Sequence, residues 1–247
     1  MRLQRNFTPA VAALMRFGAL VVLGLLGTTT HALTISPVLV DLSPARRVVS
    51  ITIANPGDRA ISFQTETLAW SLQDGIDKYD ETDELMIVPP IAEIAPGGSQ
   101  IFRVTTRGAP VQREQAYRLI FEDVSEATAL SADEVSVNIR INHDLPVFVA
   151  APGKPHPQPR LGPCPGPAAT GKGCIRLDND GNRYAQVKSI VVEGNNWRKD
   201  LSAQSRVLAG AWRQWTFELP PEATGALHVT AETSDGPVTL ELPIPAR

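Results

Sequence analysis

Cysteine and histidine are scarce in this sequence, which limits the metal chemistry open to it. The chain has two cysteines and four histidines among 247 residues, and only His143, His156 and His228 follow the first 32 residues. A structural zinc site needs four ligands, mostly cysteine and histidine, at close spacing. We therefore expect no structural metal site.

Catalytic motifs are also missing. The sequence has no His-Glu-x-x-His, no Gly-x-Ser-x-Gly, no phosphate-binding Gly-Lys-Ser loop and no dinucleotide-binding glycine pattern. His143 and Asp144 are neighbours in a predicted strand, so their side chains point to opposite faces, which disfavours a Ser-His-Asp arrangement. The acidic cluster at 74–84 lacks the ligand spacing of known calcium loops, and we expect it to be a solvated connection between strands. The sequence thus predicts a protein that is not an enzyme and needs no cofactor.

Basic residues are in the minority. The chain carries 23 lysines and arginines against 26 acidic residues, a net charge of −3 at pH 7. The first 32 residues hold three of the arginines and no acid, so residues 33–247 keep 20 basic against 26 acidic side chains, a net charge of −6. This balance gives no general basic surface for nucleic acid. We expect no nucleic-acid partner.

The apolar stretch from Gly18 to Leu26 is too short to cross a bilayer, for which roughly 20 residues are needed. It is preceded by the three arginines and followed by Thr30-His31-Ala32, a small-residue cleavage site. We predict a cleaved signal peptide at 1–32 and a mature protein that does not insert into the membrane. The alternative is a membrane anchor, and the start is either Met1 or Met15.

From Leu33 onwards the pattern indicates short β-strands. The 21 prolines and 18 glycines of the chain fall mostly in small clusters between apolar runs, as turns between strands require. The alternation at 50–54, the turn Asn55 to Asp58 and the run at 61–70 predict a hairpin. Further runs bring the total to about seven strands before residue 150, which is typical of a β-sandwich.

Seven prolines between Ala150 and Pro167 indicate a domain boundary. After it, strand-like runs separated by turns such as Asn179 to Asn182 predict a second all-β unit. We predict an N-terminal domain at 33–152 and a C-terminal domain at 153–247.

The two cysteines, Cys164 and Cys174, lie in the part of the chain that is predicted to be exported, where disulfides persist. Because no other metal ligands accompany them, we expect them to form a disulfide. The bond would close a short loop and contribute about 2–3 kcal/mol in the chain-entropy description.

Several segments carry a family resemblance when they are taken together. They are Ile35 to Asp41, Val88 to Gly97, Glu114 to Ile120, Val135 to Arg140 with Leu145 to Phe148, and, in the second half, Leu177 to Ala185. In this order and at this spacing, behind a signal peptide, they resemble the periplasmic chaperones of the chaperone–usher pilus pathway, particularly its archaic branch.

The resemblance implies an all-β fold of two immunoglobulin-like β-sandwich domains in an L-shaped arrangement, with a cleft between them. It also implies a periplasmic chaperone that captures pilus or fimbrial subunits by donor-strand complementation and delivers them to an outer-membrane usher. In that family the last strand of the first domain supplies the strand that the subunit lacks. Basic residues in the cleft hold the terminal carboxylate of the subunit.

The predicted strand from Val135 to Val149 contains a candidate donor segment. Val135, Val137, Ile139 and Ile141 alternate with polar residues, so one apolar face can enter the groove of an incomplete subunit while the backbone pairs with it. The alternative is that these side chains fill the core of the chaperone itself, since half-buried strands in general show the same alternation.

The usual carboxylate anchor of the family does not carry over to this chain. The first-strand position that aligns with the family's arginine is Pro37, and the last-strand position of its lysine falls at Asp144 or Leu145. Other cations must serve, or none.

Three other cations are candidates for the anchor. Arg118 lies in a strongly apolar strand, where a bound anion would offset the cost of burying its charge. Arg140 follows the apolar donor positions and can grip a carboxylate with two hydrogen bonds, and Lys154 follows near the expected hinge. The alternative for Arg118 is an ordinary ion pair with Glu122 or Asp123.

Two alternatives to this interpretation stay open at the level of sequence. The chain would be a pilus subunit or adhesin if it polymerised instead of forming a one-to-one complex. A chaperone without its client would have the option of capping its donor edge in a self-associated dimer.

Overall fold

The computed structural model describes residues 32–108, 111–125, 140–166, 170–201, 203–221 and 223–244. In these ranges the chain forms eighteen β-strands and no helix. The predicted all-β class is therefore confirmed. Val135, Val137 and Ile139 of the candidate donor segment lie outside the described residues.

The first ten strands form one pair of sheets. They are β1 (Thr34–Ser36), β2 (Val40–Leu42), β3 (Val48–Ala54), β4 (Ile61–Gln73), β5 (Ile76–Glu81), β6 (Leu85–Val88), β7 (Ile91–Ile94), β8 (Ser99–Thr106), β9 (Gln115–Asp123) and β10 (His143–Val149). One sheet has the order β1-β3-β8-β6, and the other has the order β2-β10-β9-β4-β5 with β7 beside β4. β2 pairs with β10 in parallel, whereas β9 pairs antiparallel with both β10 and β4.

The first core lies between these two sheets. Alternate residues of β9 face it, so Tyr117, Leu119 and Phe121 are buried. Phe102 of β8 packs edge-on against Phe121, with the ring centroids 4.9 Å apart. Burial of each such side chain contributes about 1.5–3 kcal/mol, which fixes the register of β9 and sends the residues between them to the other face.

The last eight strands form a second pair of sheets. They are β11 (Pro159–Pro163), β12 (Lys172–Asn179), β13 (Ala185–Gly194), β14 (Trp197–Leu201), β15 (Ser205–Val207), β16 (Trp212–Glu218), β17 (Ala226–Thr233) and β18 (Gly236–Pro243). One sheet has the order β11-β12-β16, and the other has the order β14-β13-β17-β18 with β15 beside β13. The second core includes Ile175, Leu177, Val187, Val192 and Phe217.

The proline-rich segment between the two sandwiches contains a strand. Pro159 and Pro163 bound β11, which lies at the edge of its sheet, where a missing N–H group is tolerated. The predicted disulfide is confirmed: Cys164 is bonded to Cys174, with the two Cα atoms 5.6 Å apart. It joins the residue after β11 to β12.

Two further strands differ from the sequence interpretation. The strand predicted from Val135 begins only at His143, and the described residues 140–142 before it are not in a strand. The acidic cluster, interpreted as a solvated connection, contains β5, an edge strand that pairs with β4 over the full length of Ile76–Glu81. The sandwich pattern is confirmed, whereas the L-shaped arrangement and the domain limits at 152 and 153 stay predictions.

A buried asparagine closes one turn of the first sandwich. Asn55 follows the alternating residues of β3 and is 1% exposed. Its Nδ2 donates to the backbone oxygens of Arg59, Ile94 and Ala95 at 2.7–3.3 Å, and its Oδ1 accepts from the backbone N–H of Gly57 at 3.1 Å. The side chain thus ties its own turn to the end of β7.

The second sandwich repeats this arrangement. Asn179 ends β12 and is fully buried. Its Nδ2 donates to the backbone oxygens of Arg183, Val207 and Leu208 at 2.7–3.3 Å, and its Oδ1 accepts from the N–H of Gly181 at 3.2 Å. The turn that begins at Asn179 lies at the junction of the two sandwiches.

Candidate functional site

Arg118 lies in the middle of β9 and points away from the first core. Its strand partners are Pro146 of β10 and Leu68 of β4. Because side chains alternate along a strand, the buried Tyr117 and Leu119 on either side leave Arg118 on the opposite face. Arg118 therefore stands on the outer face of a sheet whose inner face is fixed by the core.

The guanidinium of Arg118 is held by one carboxylate and two aromatic rings. Its Nη2 lies 2.6 Å from Oδ2 of Asp144, and the Arg118 side chain is 18% exposed. The guanidinium carbon lies 5.0 Å from the ring centroid of Trp70 and 6.0 Å from that of Tyr79. Its Nε is buried and has no hydrogen-bond partner within the described part of the chain. The partner is thus Asp144, and neither Glu122 nor Asp123, which the sequence offered as alternatives.

The same outer face leads to the junction of the two sandwiches. Trp70, Ala116 and Phe148 of the first sandwich form a buried cluster with Leu208 of the second. The ring of Phe148 lies 4.3 Å from that of Tyr184, centroid to centroid. Trp70 therefore contacts both Arg118 and this apolar junction, which places Arg118 next to the meeting point of the sandwiches.

An ion pair crosses the junction beside Trp70. Arg213 of β16 binds Asp77 of β5, with Nη2 and Oδ1 2.7 Å apart. The indole Nε1–H of Trp70 donates to the same carboxylate oxygen at 2.8 Å. Burial, with the nearby Asp77 carboxylate, raises the pKa of Tyr79 above its ordinary value.

Glu114 forms a second polar link across the junction. Its backbone N–H donates to the backbone oxygen of Asn182 at 2.9 Å, and its Oε1 accepts from the backbone N–H of Tyr184 at 2.9 Å. Its Oε2 lies 3.6 Å from Nε of Arg183, and its side chain is 3% exposed. Burial raises the pKa of Glu114 to about 7, although the N–H of Tyr184 and the charge of Arg183 act in the opposite direction.

The structure does not bring the three predicted cations to one place. Arg140 is exposed, and its Nη2 donates to the backbone oxygen of Ser125 at 3.1 Å. Lys154 is exposed, and its backbone oxygen accepts from Asn182 at 3.2 Å. Arg140 precedes β10 and Lys154 follows it, and a strand of seven residues spans roughly 20 Å. Arg118, in contrast, lies between these ends and next to the junction.

The candidate donor segment is described only at its end. Ile141 is 60% exposed and precedes β10 without belonging to it. Val135, Val137 and Ile139 cannot be placed on the sheet because they fall outside the described residues. Their assignment as donor positions stays a prediction.

Other chemistry is sparse in the described ranges. No three histidine, cysteine, aspartate or glutamate side chains there are close enough to hold a metal ion. Nor is any helix there long and apolar enough to cross a membrane. Burial lowers the pKa of His143, whose ring packs edge-on against Phe63, so this histidine is part of the packing.

Sequence reasoning missed the residues that hold Arg118 in place. Asp144 was considered only as the neighbour of His143 and as an unsuitable anchor, and Trp70 only as the last residue of the predicted run at 61–70. The register of β9 against β10 brings Arg118 and Asp144 together across 26 residues of sequence. The local sequence carried one signal, the high cost of a lone arginine in an apolar strand.

Comparisons with known proteins identify a family for the first half of the chain. The family described as "Pili and flagellar-assembly chaperone, PapD N-terminal domain" matches residues 32–154. No curated protein sequence matches the chain.

Solved structures resemble nearly the whole described chain. A chain of the CsuC-CsuE chaperone-tip adhesion subunit pre-assembly complex, from archaic chaperone-usher Csu pili of Acinetobacter baumannii, is 18% identical with a TM-score of 0.61. The match covers 85% of this chain and 97% of that one. A chain of the Salmonella enterica SafA pilin–SafB chaperone complex is 14% identical with a TM-score of 0.59, over 88% and 99% of the two chains. The E. coli chaperone DraB is 18% identical with a TM-score of 0.57, over 88% and 97%. With the two pairs of sheets, these matches confirm a fold of two immunoglobulin-like sandwiches.

Proposed function

We propose that the chain captures pilus subunits in the periplasm by donor-strand complementation, because residues 32–154 match the family of pili and flagellar-assembly chaperones. It then delivers them to an outer-membrane usher. The family match carries this proposal. Two of the similar structures are complexes with a tip adhesion subunit and with a pilin, which supports a subunit as the partner. The protein acts by binding and needs no cofactor.

The donor segment is residues 135–141. Val135, Val137, Ile139 and Ile141 present an apolar side chain at every second position, as the groove of a subunit lacking one strand requires. Four aliphatic side chains moved out of water contribute on the order of 6–10 kcal/mol before ordering costs. The exposure of Ile141 fits a side chain that awaits a partner.

Arg118 is the cation that receives the terminal carboxylate of the subunit. The family's cation position on the first strand is Pro37 here, and its position on the last strand falls at Asp144 or Leu145. Arg118 lies on the strand next to β10, faces outward, and stands beside the junction of the sandwiches. A guanidinium in this partly buried position binds a carboxylate through charge-assisted hydrogen bonds.

Co-purification tests the capture of a subunit. We would express the chain in the periplasm together with exported pilus subunits of the source bacterium and isolate complexes through a tag on the chaperone. We expect a one-to-one complex with the wild-type chain and its loss with Ile139→Asp, whereas Asn138→Asp, on the polar side of the segment, keeps it. A chain that polymerises on its own would instead be a pilus subunit or adhesin.

A second set of variants tests the anchor. Arg118→Ala combined with Arg140→Ala should fold normally and lose the complex, whereas Arg103→Ala, an exposed arginine on the other sheet, should keep it. Full retention of the subunit by the double variant would rule out these arginines as anchors. The N-terminal sequence of the protein from the periplasmic fraction, expected to begin at Leu33, tests the export and cleavage that the proposal includes.

A further inference from the structure

Asp144 forms an ion pair with Arg118, the cation that we assign to the terminal carboxylate of the subunit. We propose that Asp144 is a built-in placeholder carboxylate, which neutralises Arg118 in the free chaperone and gives way to the terminal carboxylate of the subunit. The inference rests on the proposed function, because it concerns the same anchor. The new element is that Asp144 competes with the subunit for Arg118 and so lowers the affinity of Arg118 for the terminal carboxylate.

The pairing of Arg118 and Asp144 explains how the free protein tolerates a cation in this place. The Arg118 side chain is only 18% exposed, and a guanidinium so far removed from water is costly without an anion. The Asp144 carboxylate supplies that anion at 2.6 Å. Without it, a vacant anchor would carry an uncompensated charge on the outer face of the sheet.

The two partners of this ion pair are held with different firmness. Arg118 is fixed by the rings of Trp70 and Tyr79, 5.0 and 6.0 Å from its guanidinium. The carboxylate of Asp144 is 44% exposed, and Arg118 is its only hydrogen-bond partner within the described ranges of the chain. Because its backbone is paired with Ile120 of β9, the short side chain can turn into solvent while the strand stays in place. The guanidinium is therefore the fixed component, and the carboxylate can be exchanged.

The exchange conserves charge and hydrogen bonds at the site. A guanidinium has five N–H donors in a planar fork, and Asp144 accepts from one nitrogen of Arg118, Nη2. An incoming carboxylate takes over this contact, and Asp144 regains water at its exposed side. Because the incoming carboxylate restores the ion pair with Arg118 and the partly exposed carboxylate of Asp144 returns to water, the client displaces Asp144 at a small cost.

Matched peptides distinguish a placeholder from a purely structural ion pair. The probe is a synthetic peptide of the last 15 or so residues of the subunit captured in the co-purification above, made once with a free carboxylate and once with a carboxamide end. Binding to the purified full chain is measured by calorimetry at neutral pH. Variants are Asp144→Asn and Asp144→Ala. The control is Asp80→Asn, because Asp80 belongs to an exposed ion pair with Lys78, on the face of β5 opposite to Tyr79.

We expect both Asp144 variants to bind the carboxylate peptide about two- to fivefold more tightly than the wild type, the range expected when a partly exposed competing carboxylate is removed. The carboxamide peptide should bind wild type and variants alike, and Asp80→Asn should change nothing. Arg118→Gln should abolish the preference for the carboxylate in the presence or absence of Asp144. Circular dichroism melting confirms that each variant is folded.

Unchanged or weaker binding of the carboxylate peptide by both folded Asp144 variants would overturn the placeholder. The anchor, and with it the proposed function, would still stand if the wild type prefers the carboxylate and loses this preference with Arg118→Gln. If the wild type captures subunits but shows no preference for the carboxylate, the anchor and the placeholder both fall and capture alone survives. If no subunit is captured at all, the proposed function fails as well.

Discussion

In the first sandwich Asn55 and in the second Asn179 close a turn through the same set of hydrogen bonds, yet the two turns have different surroundings. All the hydrogen bonds of the Asn55 side chain are to residues of the first sandwich. At the turn after Asn179, Oδ1 also accepts from Gln158 of the linker, and the backbone oxygen of Asn182 accepts from Glu114 of the first sandwich. The same asparagine turn therefore closes one sandwich at Asn55 and links the two sandwiches at Asn179.

Close packing explains why the second turn is so constrained. A Cβ atom on Gly181 would lie 2.1 Å from the backbone oxygen of His156, whereas on Gly57 it would meet only Oδ1 of Asn55 at 3.1 Å. The linker thus passes directly over the second turn. Only glycine allows the two backbones to approach so closely. The turn after Asn55 is thus packed only against its own sandwich, whereas the turn after Asn179 is also covered by the chain that leads into it from the first sandwich.

The largest effects should come from removing either asparagine. We expect Asn55→Ala and Asn179→Ala each to lower the free energy of unfolding of their own sandwich by about 3–5 kcal/mol, because each leaves several buried backbone groups without partners, at about 1–3 kcal/mol per group. Denaturant unfolding combined with hydrogen exchange measures the loss in each sandwich. The exposed Asn196→Ala is the control and should stay within about 0.5 kcal/mol of the wild type.

The two asparagine variants should differ in their effect on the junction of the sandwiches. Only Asn179→Ala should speed the exchange of the Glu114 and Tyr184 amide protons, since the turn that they contact begins at Asn179. Equal loss of protection in Asn55→Ala would mean that the two turns are coupled.

The next largest effect concerns the carboxyl group that the second turn buries. The pKa of Glu114 is raised to about 7 from an ordinary value of 4.5, so the folded state binds the proton more tightly than the unfolded state does. The wild type should therefore lose stability, by about 3 kcal/mol, as the pH rises from 4.5 to 7. Glu114→Gln should lack this loss, because Gln keeps the acceptor for Tyr184 but does not ionise.

Urea unfolding of both proteins between pH 4 and 8 measures the difference. Glu218→Gln, which removes an exposed carboxyl group, should follow the pH dependence of the wild type. A wild-type profile parallel to that of Glu114→Gln would show that the group titrates near its ordinary pKa, as it would if the junction opened in solution.

The smallest of the three effects should come from removing the disulfide, which lies in the second sandwich. Replacing both Cys164 and Cys174 with serine should destabilise the second sandwich by about 2–3 kcal/mol, because the short loop that the bond closes gains freedom in the unfolded chain. Hydrogen exchange should show the loss in β11 and β12 and leave β3 and β8 unchanged. A loss spread evenly over both sandwiches would mean that they unfold as one cooperative unit.

Several elements of the fold could be predicted from the sequence. The bounds of β6 and the alternation of Phe102 and Val104 in β8 follow from local pattern, because one face of each strand is buried. β5 could not be recognised in this way. An edge strand on the surface has mostly polar residues on both faces, so its sequence does not differ from that of a loop.

The site was predictable only in part. The sequence identified Arg118 as a cation in need of an anion, and it identified the departures from the family anchor at Pro37 and at Asp144 or Leu145. It could not show that Asp144 itself is the anion, because that contact depends on the register between β9 and β10. Nor could it assign Trp70 to Arg118, since the two residues meet across β4 and β9.

The sequence alone determined the strand-rich architecture, the disulfide, the turns at Asn55 and Asn179 and the family resemblance, because all of these depend on residues that are near one another in the chain or on a repeating pattern. Only the tertiary structure decided which charged side chains form ion pairs with one another. Arg118 and Asp144, Asp77 and Arg213, and Glu114 and Arg183 are 26 to 136 residues apart. Only the pairing of strands and the contact between the sandwiches bring them within hydrogen-bonding or ion-pairing distance.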